Sequence, residues 1–280
     1  MKKKHLFLLI LKVFILSNFL SAQPFHLKSV GEKKEFHLTI YFAPNGKGAF
    51  VQYQNHQDII PLKIKKISID SSEVESGQPT FTTYYWDEMI NGKINGTYEL
   101  TEWPRNIEDI YYTRKKDNKK FKLELEENKN FDGSTQYFLH QTFIKFNRFY
   151  NDELMFEYPD KTKQKINLPS INQPDGARQS QIIDYNFDGF DDISFSVYDS
   201  GMGVYQTYTI FLFSPKTKKF YPLAEPDFKK SKCSCLCDVR VFPKKKIFTS
   251  SCRGGASWWK DEYQYKNGKI KWVKSLKNNQ

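Results

Sequence analysis

Apolar and polar residues alternate in short runs along most of this chain, and no stretch beyond residue 22 sustains the period of a helix. Runs at 35–42, 48–54, 59–69, 80–86, 96–101, 110–114 and 120–126 are separated by turn signals at Asn45-Gly46, Asn91-Gly92, Asn95-Gly96 and Asp117-Asn118. Seven short strands predict a sandwich or barrel over residues 24–127. The polar stretch 128–135 reads as a linker, 137–150 as a long aromatic-rich strand, and 160–181 as a surface loop. A second group of runs, at 182–184, 193–198, 205–213, 220–221, 237–242, 247–252, 259–266 and 269–273, predicts an antiparallel domain over 136–280. Asn267-Gly268 marks a two-residue hairpin that sets Tyr265 opposite Ile270 and Tyr263 opposite Trp272. By the same parity Trp258 falls on the polar face with Lys260 and Glu262. The expected fold is therefore all-β, in two β-rich domains.

Residues 1–22 break this pattern. Lys2 to Lys4 precede an apolar run from Leu6 to Leu20, followed by Ser21-Ala22. A basic start, an apolar centre and a small residue at the cut read as a signal peptide cleaved after Ala22. The run carries Lys12 and is short for a membrane span. The expected location is periplasmic or secreted, with no transmembrane segment after cleavage.

Composition adds two points. Aromatic residues make up 16% of the 280 residues, which favours strands. The formal charge is +11; cleavage removes four Lys and leaves +7, carried by short Lys runs that read as solvated loops. Export makes nucleic acid a poor partner, and leaves an acidic protein, glycan or membrane surface.

All four cysteines lie within residues 233–252. Four thiolates can hold zinc, but an oxidising compartment favours disulfides. If a loop at 243–246 joins two strands, Phe242 faces Ile247, Val241 faces Phe248 and Cys237 faces Cys252. Directly opposed strand residues have Cα spacings that suit a bridge. The expected disulfide is Cys237–Cys252, which leaves Cys233 and Cys235 over.

The strongest chemical signal is Asp184-Tyr-Asn186-Phe-Asp188-Gly189-Phe190-Asp191-Asp192. Oxygen donors recur at positions 1, 3, 5 and 9, with Gly at 6. Calcium takes six to eight oxygens brought round by a sharp turn. The side chains of Asp184, Asn186, Asp188 and Asp192 and the carbonyl of Phe190 are the expected Ca²⁺ ligands. An EF-hand would need Glu at position 12, where Phe195 stands, and helices where Ile193, Phe195 and Val197 alternate with Ser194 and Ser196.

This loop resembles the calcium loop of FG-GAP (VCBS-type) repeats, present once. Residues 182–273 are similar to bacterial periplasmic proteins with a single such loop, related to immunity inhibitors of peptidoglycan-cleaving, lysozyme-like effectors. The likeness covers the loop, the strand at 205–213, Ser214-Pro215-Lys216, the hairpin at Lys245-Lys246-Ile247, and Ser251-Cys252-Arg253-Gly254-Gly255-Ala256. It implies a propeller-like antiparallel C-terminal domain. The cysteine cluster departs from that pattern. The connection Asp199-Ser200-Gly201-Met202-Gly203-Val204-Tyr205 is similar to inhibitory loops of periplasmic lysozyme inhibitors, whose Ser and Tyr hydroxyls meet catalytic carboxylates. Here the Ser-to-Tyr spacing is one residue longer. The resemblance implies that Ser200 and Tyr205 contact a partner. Arg253 and Trp258 join them as residue types common at binding hot spots.

None of His26, His37, His56 and His140 stands in a nucleophile or metal-protease motif. The expected function is a non-enzymatic, calcium-binding inhibitor of a cell-wall lytic enzyme, its partner a peptidoglycan hydrolase or other envelope protein. The alternatives are a calcium-stabilised glycan-binding or surface-associated module, with Trp258 stacked on sugar, and a structural envelope protein.

Overall fold

The computed structural model describes residues 24–70, 80–103, 106–126, 131–172, 176–199 and 203–278. The expected signal peptide lies outside them, as does Ser200. Among the described residues the chain is all-β, and no helix is long and apolar enough to cross a membrane.

Eight strands form a closed antiparallel barrel: β1 (Phe25–Val30), β2 (His37–Tyr41), β3 (Phe50–Tyr53), β4 (Ile59–Asp70), β5 (Phe81–Ile90), β6 (Lys93–Trp103), β7 (Asn106–Arg114) and β8 (Lys120–Leu125). Each strand pairs with the next, and β1 returns to β8 with Ser29 opposite Leu123. Closure leaves no unpaired edge. The sequence pattern predicts seven of these strands. The eighth, β1, lies just after the expected cleavage point. Its burial alternates with Phe25, Leu27 and Ser29 inward. Leu27, Leu38, Ile40, Val51, Trp86, Tyr98 and Leu100 fill the interior.

The connection between β2 and β3 closes one end of the barrel. The Trp86 indole donates to the Gly46 carbonyl at 2.8 Å, and the rings of Phe42, Tyr84 and Trp86 lie within 5.6 Å of one another. Gly46 has φ +70°, and a Cβ there would stand 2.6 Å from the Tyr84 ring, so glycine is required on two counts. Tyr84 donates at 3.0 Å to Glu102, which is buried.

Three four-stranded antiparallel sheets follow, each a simple meander. The first holds β9 (Ser134–Leu139), β10 (Thr142–Asn147), β11 (Glu153–Glu157) and β12 (Lys163–Asn167). The second holds β13 (Gln179–Ile183), β14 (Asp192–Tyr198), β15 (Gln206–Ser214) and β16 (Lys219–Pro222). The third holds β17 (Arg240–Phe242), β18 (Ile247–Gly254), β19 (Ser257–Lys266) and β20 (Lys269–Asn278).

Two expectations change here. The aromatic stretch at 137–150 is a hairpin, not one strand: it turns at His140 and Gln141, both at positive φ, with Leu139 opposite Thr142. Such turns favour Asn and Gly, so the sequence does not announce it. The expected surface loop at 160–181 contains β12 and the start of β13, pinned by the buried Arg178, which donates to the carbonyls of Asn147, Asn151 and Pro169 and to Asp152.

The second sheet is the middle layer. Ile193, Phe195, Phe211 and Phe213 pack on Tyr137, Ile144, Phe146 and Phe156 of the first sheet. Ile210 and Leu212 point the other way, onto Phe248, Tyr263 and Ile270 of the third. The barrel joins the first sheet through Phe50, whose ring meets Phe143 at 5.8 Å, and through the Gly48 carbonyl, which accepts from the Phe138 amide.

Burial pushes Glu102 up to about 7, against the hydrogen bond from Tyr84. In the unfolded chain a Glu titrates near 4.3, so the folded state binds this proton more tightly. The stability it contributes is full below about pH 4 and is lost as pH rises through about 7. Glu102→Gln should therefore reduce the decline of stability between pH 4 and 7.5 in urea unfolding. A decline of unchanged slope would contradict this assignment.

Candidate functional site

The strand β14 separates two clusters of sequence-predicted residues. Asp184, Asn186, Asp188 and Phe190 lie in the turn before it, Asp192 is its first residue, and Tyr205 lies after it. Seven extended residues put those ends about 20 Å apart, so a metal in the first cluster does not touch the base of the second.

The turn at 184–192 winds around Asp184. That carboxylate accepts from the amides of Phe187 (2.6 Å), Asp188 (3.2 Å) and Gly189 (2.9 Å). Phe187 and Gly189 take positive φ to make this possible. The Asn186 side chain accepts from the Asp188 amide and donates to the Asp188 carboxylate, both at 3.0 Å. The other Asp188 oxygen accepts from the Phe190 amide. Asp192 turns inward and is fully buried, accepting from the amides of Tyr185 and Phe213 at 2.8 Å. Burial pushes Asp192 up to about 7, and the charges of Asp188 and Asp184 act in the same sense. Among the described residues, no group of three or more His, Cys, Asp and Glu side chains is placed to hold a metal ion. The donors suit calcium in kind and order, all being hard oxygens, while much of their capacity is turned onto the loop's own amides.

Two residues that the sequence reading did not single out tie this turn to its surroundings. Lys47, from the barrel, bonds Asp191 at 2.5 Å. His140, at the β9–β10 turn, bonds the Asp191 carbonyl at 2.7 Å and stacks on Phe213 at 3.9 Å. Burial lowers the His140 pKa, which favours the neutral ring. The turn thus sits where the barrel, the first sheet and the second sheet meet.

The cysteines pair differently from the expectation. Cys233 is joined to Cys252, with Cα atoms 5.6 Å apart, and Cys235 to Cys237. The register behind the expected Cys237–Cys252 bridge is present, with Phe242 opposite Ile247 and Val241 opposite Phe248. The ladder ends at Arg240, however, and Asp238 turns the chain at φ +41°. Cys237 then bridges to Thr207 of β15 while its carbonyl still accepts from the Ser251 amide of β18. Meanwhile the buried Asp261 draws Cys233 in, accepting from the amides of Lys232 and Cys233 and from the Ser275 hydroxyl. Asp261 is in phase with Trp259 and Tyr263 on the apolar face of β19. An acid in that phase is the sequence signal for a buried anchor.

Tyr205, Trp259 and the four cysteines pack together. Asp199 and Tyr205 close the base of the connection through a backbone bond of 2.9 Å. Arg253 and Trp258 stand directly opposite each other across β18 and β19, next in sequence to Cys252 and Trp259. Arg253 is exposed and Trp258 half-buried. Tyr205 therefore packs on the disulfide cluster, whereas Arg253 and Trp258, one residue out of phase with Cys252 and Trp259, pair on the opposite face of the third sheet.

No family model and no curated protein matches the chain.

Replacing both Cys235 and Cys237 by Ser should leave the tryptic peptides ending in Arg240 and Arg253 linked through Cys233–Cys252. Release of those peptides under non-reducing conditions would restore the Cys237–Cys252 pairing.

Proposed function

We propose that this chain is an exported, calcium-stabilised binding protein that inhibits a cell-wall lytic enzyme and catalyses no reaction itself. The observation that carries the reading is the packing of Tyr205, at the end of the connection, against the disulfide cluster; Arg253 and Trp258 pair on the opposite face of the adjoining β18–β19 hairpin. Crosslinked support keeps a contact face ordered before binding, which reduces the entropy lost on docking. A carboxylate-lined catalytic cleft accepts hydrogen bonds. It therefore calls for donors such as the Tyr205 hydroxyl and the planar Arg253 cation. The mature charge of +7 favours encounter with an acidic cleft and makes the on-rate sensitive to salt.

Calcium would be held by Asp184, Asn186, Asp188, the Phe190 carbonyl and Asp192. It would supply positive charge to a turn whose Asp184 and Asp188 already oppose ionisation of Asp192. Opening the Asn186–Asp188 contact frees oxygens for it. A second reading, a glycan-binding module, is supported by the half-exposed Trp258 beside Arg253.

Calorimetry on the mature protein should detect calcium heat that Asp188→Ala removes, along with the rise of melting temperature in calcium. Absence of heat from the wild type would refute the metal assignment. In envelope extract the immobilised protein should retain a lytic enzyme at stoichiometric yield; retention on peptidoglycan alone would favour the glycan reading. Tyr205→Ala and Arg253→Ala should each weaken inhibition by about 2 kcal/mol or more without shifting calcium-dependent melting. Full inhibition by both variants would remove this face from the account.

A further inference from the structure

In an up-and-down barrel the connections β1–β2, β3–β4, β5–β6 and β7–β8 emerge at one end. Phe42, Tyr84 and Trp86 close the opposite end beneath Gly46. The first end is open, with a cleft of about 750 Å³, within the range of small-molecule sites.

Its walls are aromatic: Phe36, Tyr53, Tyr112 and Phe121. Its rim is cationic: Lys33, Lys34, Arg114 and Lys119. Arg114 is already engaged by Asp117, and Lys119 by Glu32. Lys33 and Lys34 are exposed and take part in no ion pair among the described residues. Across residues 32–35 and 114–119 there are six basic and three acidic residues, so the rim is net positive.

The floor is polar, negative and saturated. Glu88 is fully buried and accepts from the hydroxyls of Tyr53 (3.3 Å), Tyr98 (3.4 Å) and Tyr112 (2.7 Å) and from the Asn95 amide (2.5 Å). It therefore holds Tyr53 and Tyr112 as fixed ring walls. Its charge also opposes an anion that tries to enter head first. Beneath it, Leu27 and Leu100 fill the barrel, so an occupant caps the mouth and does not reach the core.

From these features we infer that the barrel mouth binds a small amphiphilic anion: an aromatic or acyl body against Phe36, Tyr53 and Phe121, with a carboxylate, phosphate or sulfonate head turned outward to Lys33 and Lys34. This site is independent of the partner face on the third sheet.

The test uses two fluorescent probes on the mature protein: anilinonaphthalene sulfonate, and N-phenylnaphthylamine as a neutral aromatic without the anionic head. The sulfonate should bind saturably with one-to-one stoichiometry. Lys33→Glu combined with Lys34→Glu should weaken it about tenfold while changing the neutral probe less than about twofold. Both positions are exposed, so the melting curve of that variant should match wild type. Phe36→Ala should weaken both probes. Ile69→Ser, at the far end of β4 and 66% exposed, should change neither. The inference is overturned if the sulfonate shows no saturable binding, if the lysine variant binds it as tightly as wild type, or if Ile69→Ser is the change that abolishes binding.

Discussion

Burial of one sheet on both faces organises the second half of the molecule. A four-stranded sheet with only one covered face can afford polar residues on the other; the sheet of β13 to β16 cannot. Residues 210–213 run Ile-Phe-Leu-Phe without alternation, and successive side chains go to opposite neighbours. Along β14 the inward Ser194 and Ser196 are satisfied by Tyr185 and Gln206. Removing one of these contacts opens the interface with the first sheet or with the third, according to the face the side chain takes. A polar group left unpaired there would cost about 1–3 kcal/mol.

The middle layer also explains why the two candidate clusters are distinct. One lies at the start of β14, against the barrel and the His140 turn, and its chemistry is carboxylate oxygen. The other lies where β15 begins, with the Tyr205 hydroxyl against the disulfides and the Arg253 guanidinium and Trp258 indole on the far face of the β18–β19 hairpin. Each is steadied by its own neighbours: Lys47 and His140 for the first, Asp261 and the cysteines for the second. The barrel takes part only in the first, and its open mouth forms a third chemical surface.

Much of this was legible from alternation alone. The hairpin at Asn267-Gly268 set Tyr265 against Ile270 and Tyr263 against Trp272, as found. Local pattern suffices there because a two-residue turn fixes register. It fails where the deciding partner is remote. The turn at His140-Gln141 contains neither Asn nor Gly and is completed by contacts to Asp191 and Phe213. The correct β17–β18 register still gave the wrong bridge, since Cys237 is claimed by β15 and Cys233 by Asp261. The barrel's closing strand β1 loses its apolar alternation at the inward Ser29, with Val30 on the other face, and so did not stand out. The rings around Glu88 come from three different strands, and no single segment carries that signal.

Native-state hydrogen exchange followed by mass spectrometry tests the central role of the middle layer most directly. Amides of residues 193–197 and 209–213 should be the slowest in the chain, exchanging only when the second half unfolds as a whole. Exchange of those segments ahead of β9–β10 and β18–β19 would contradict the account.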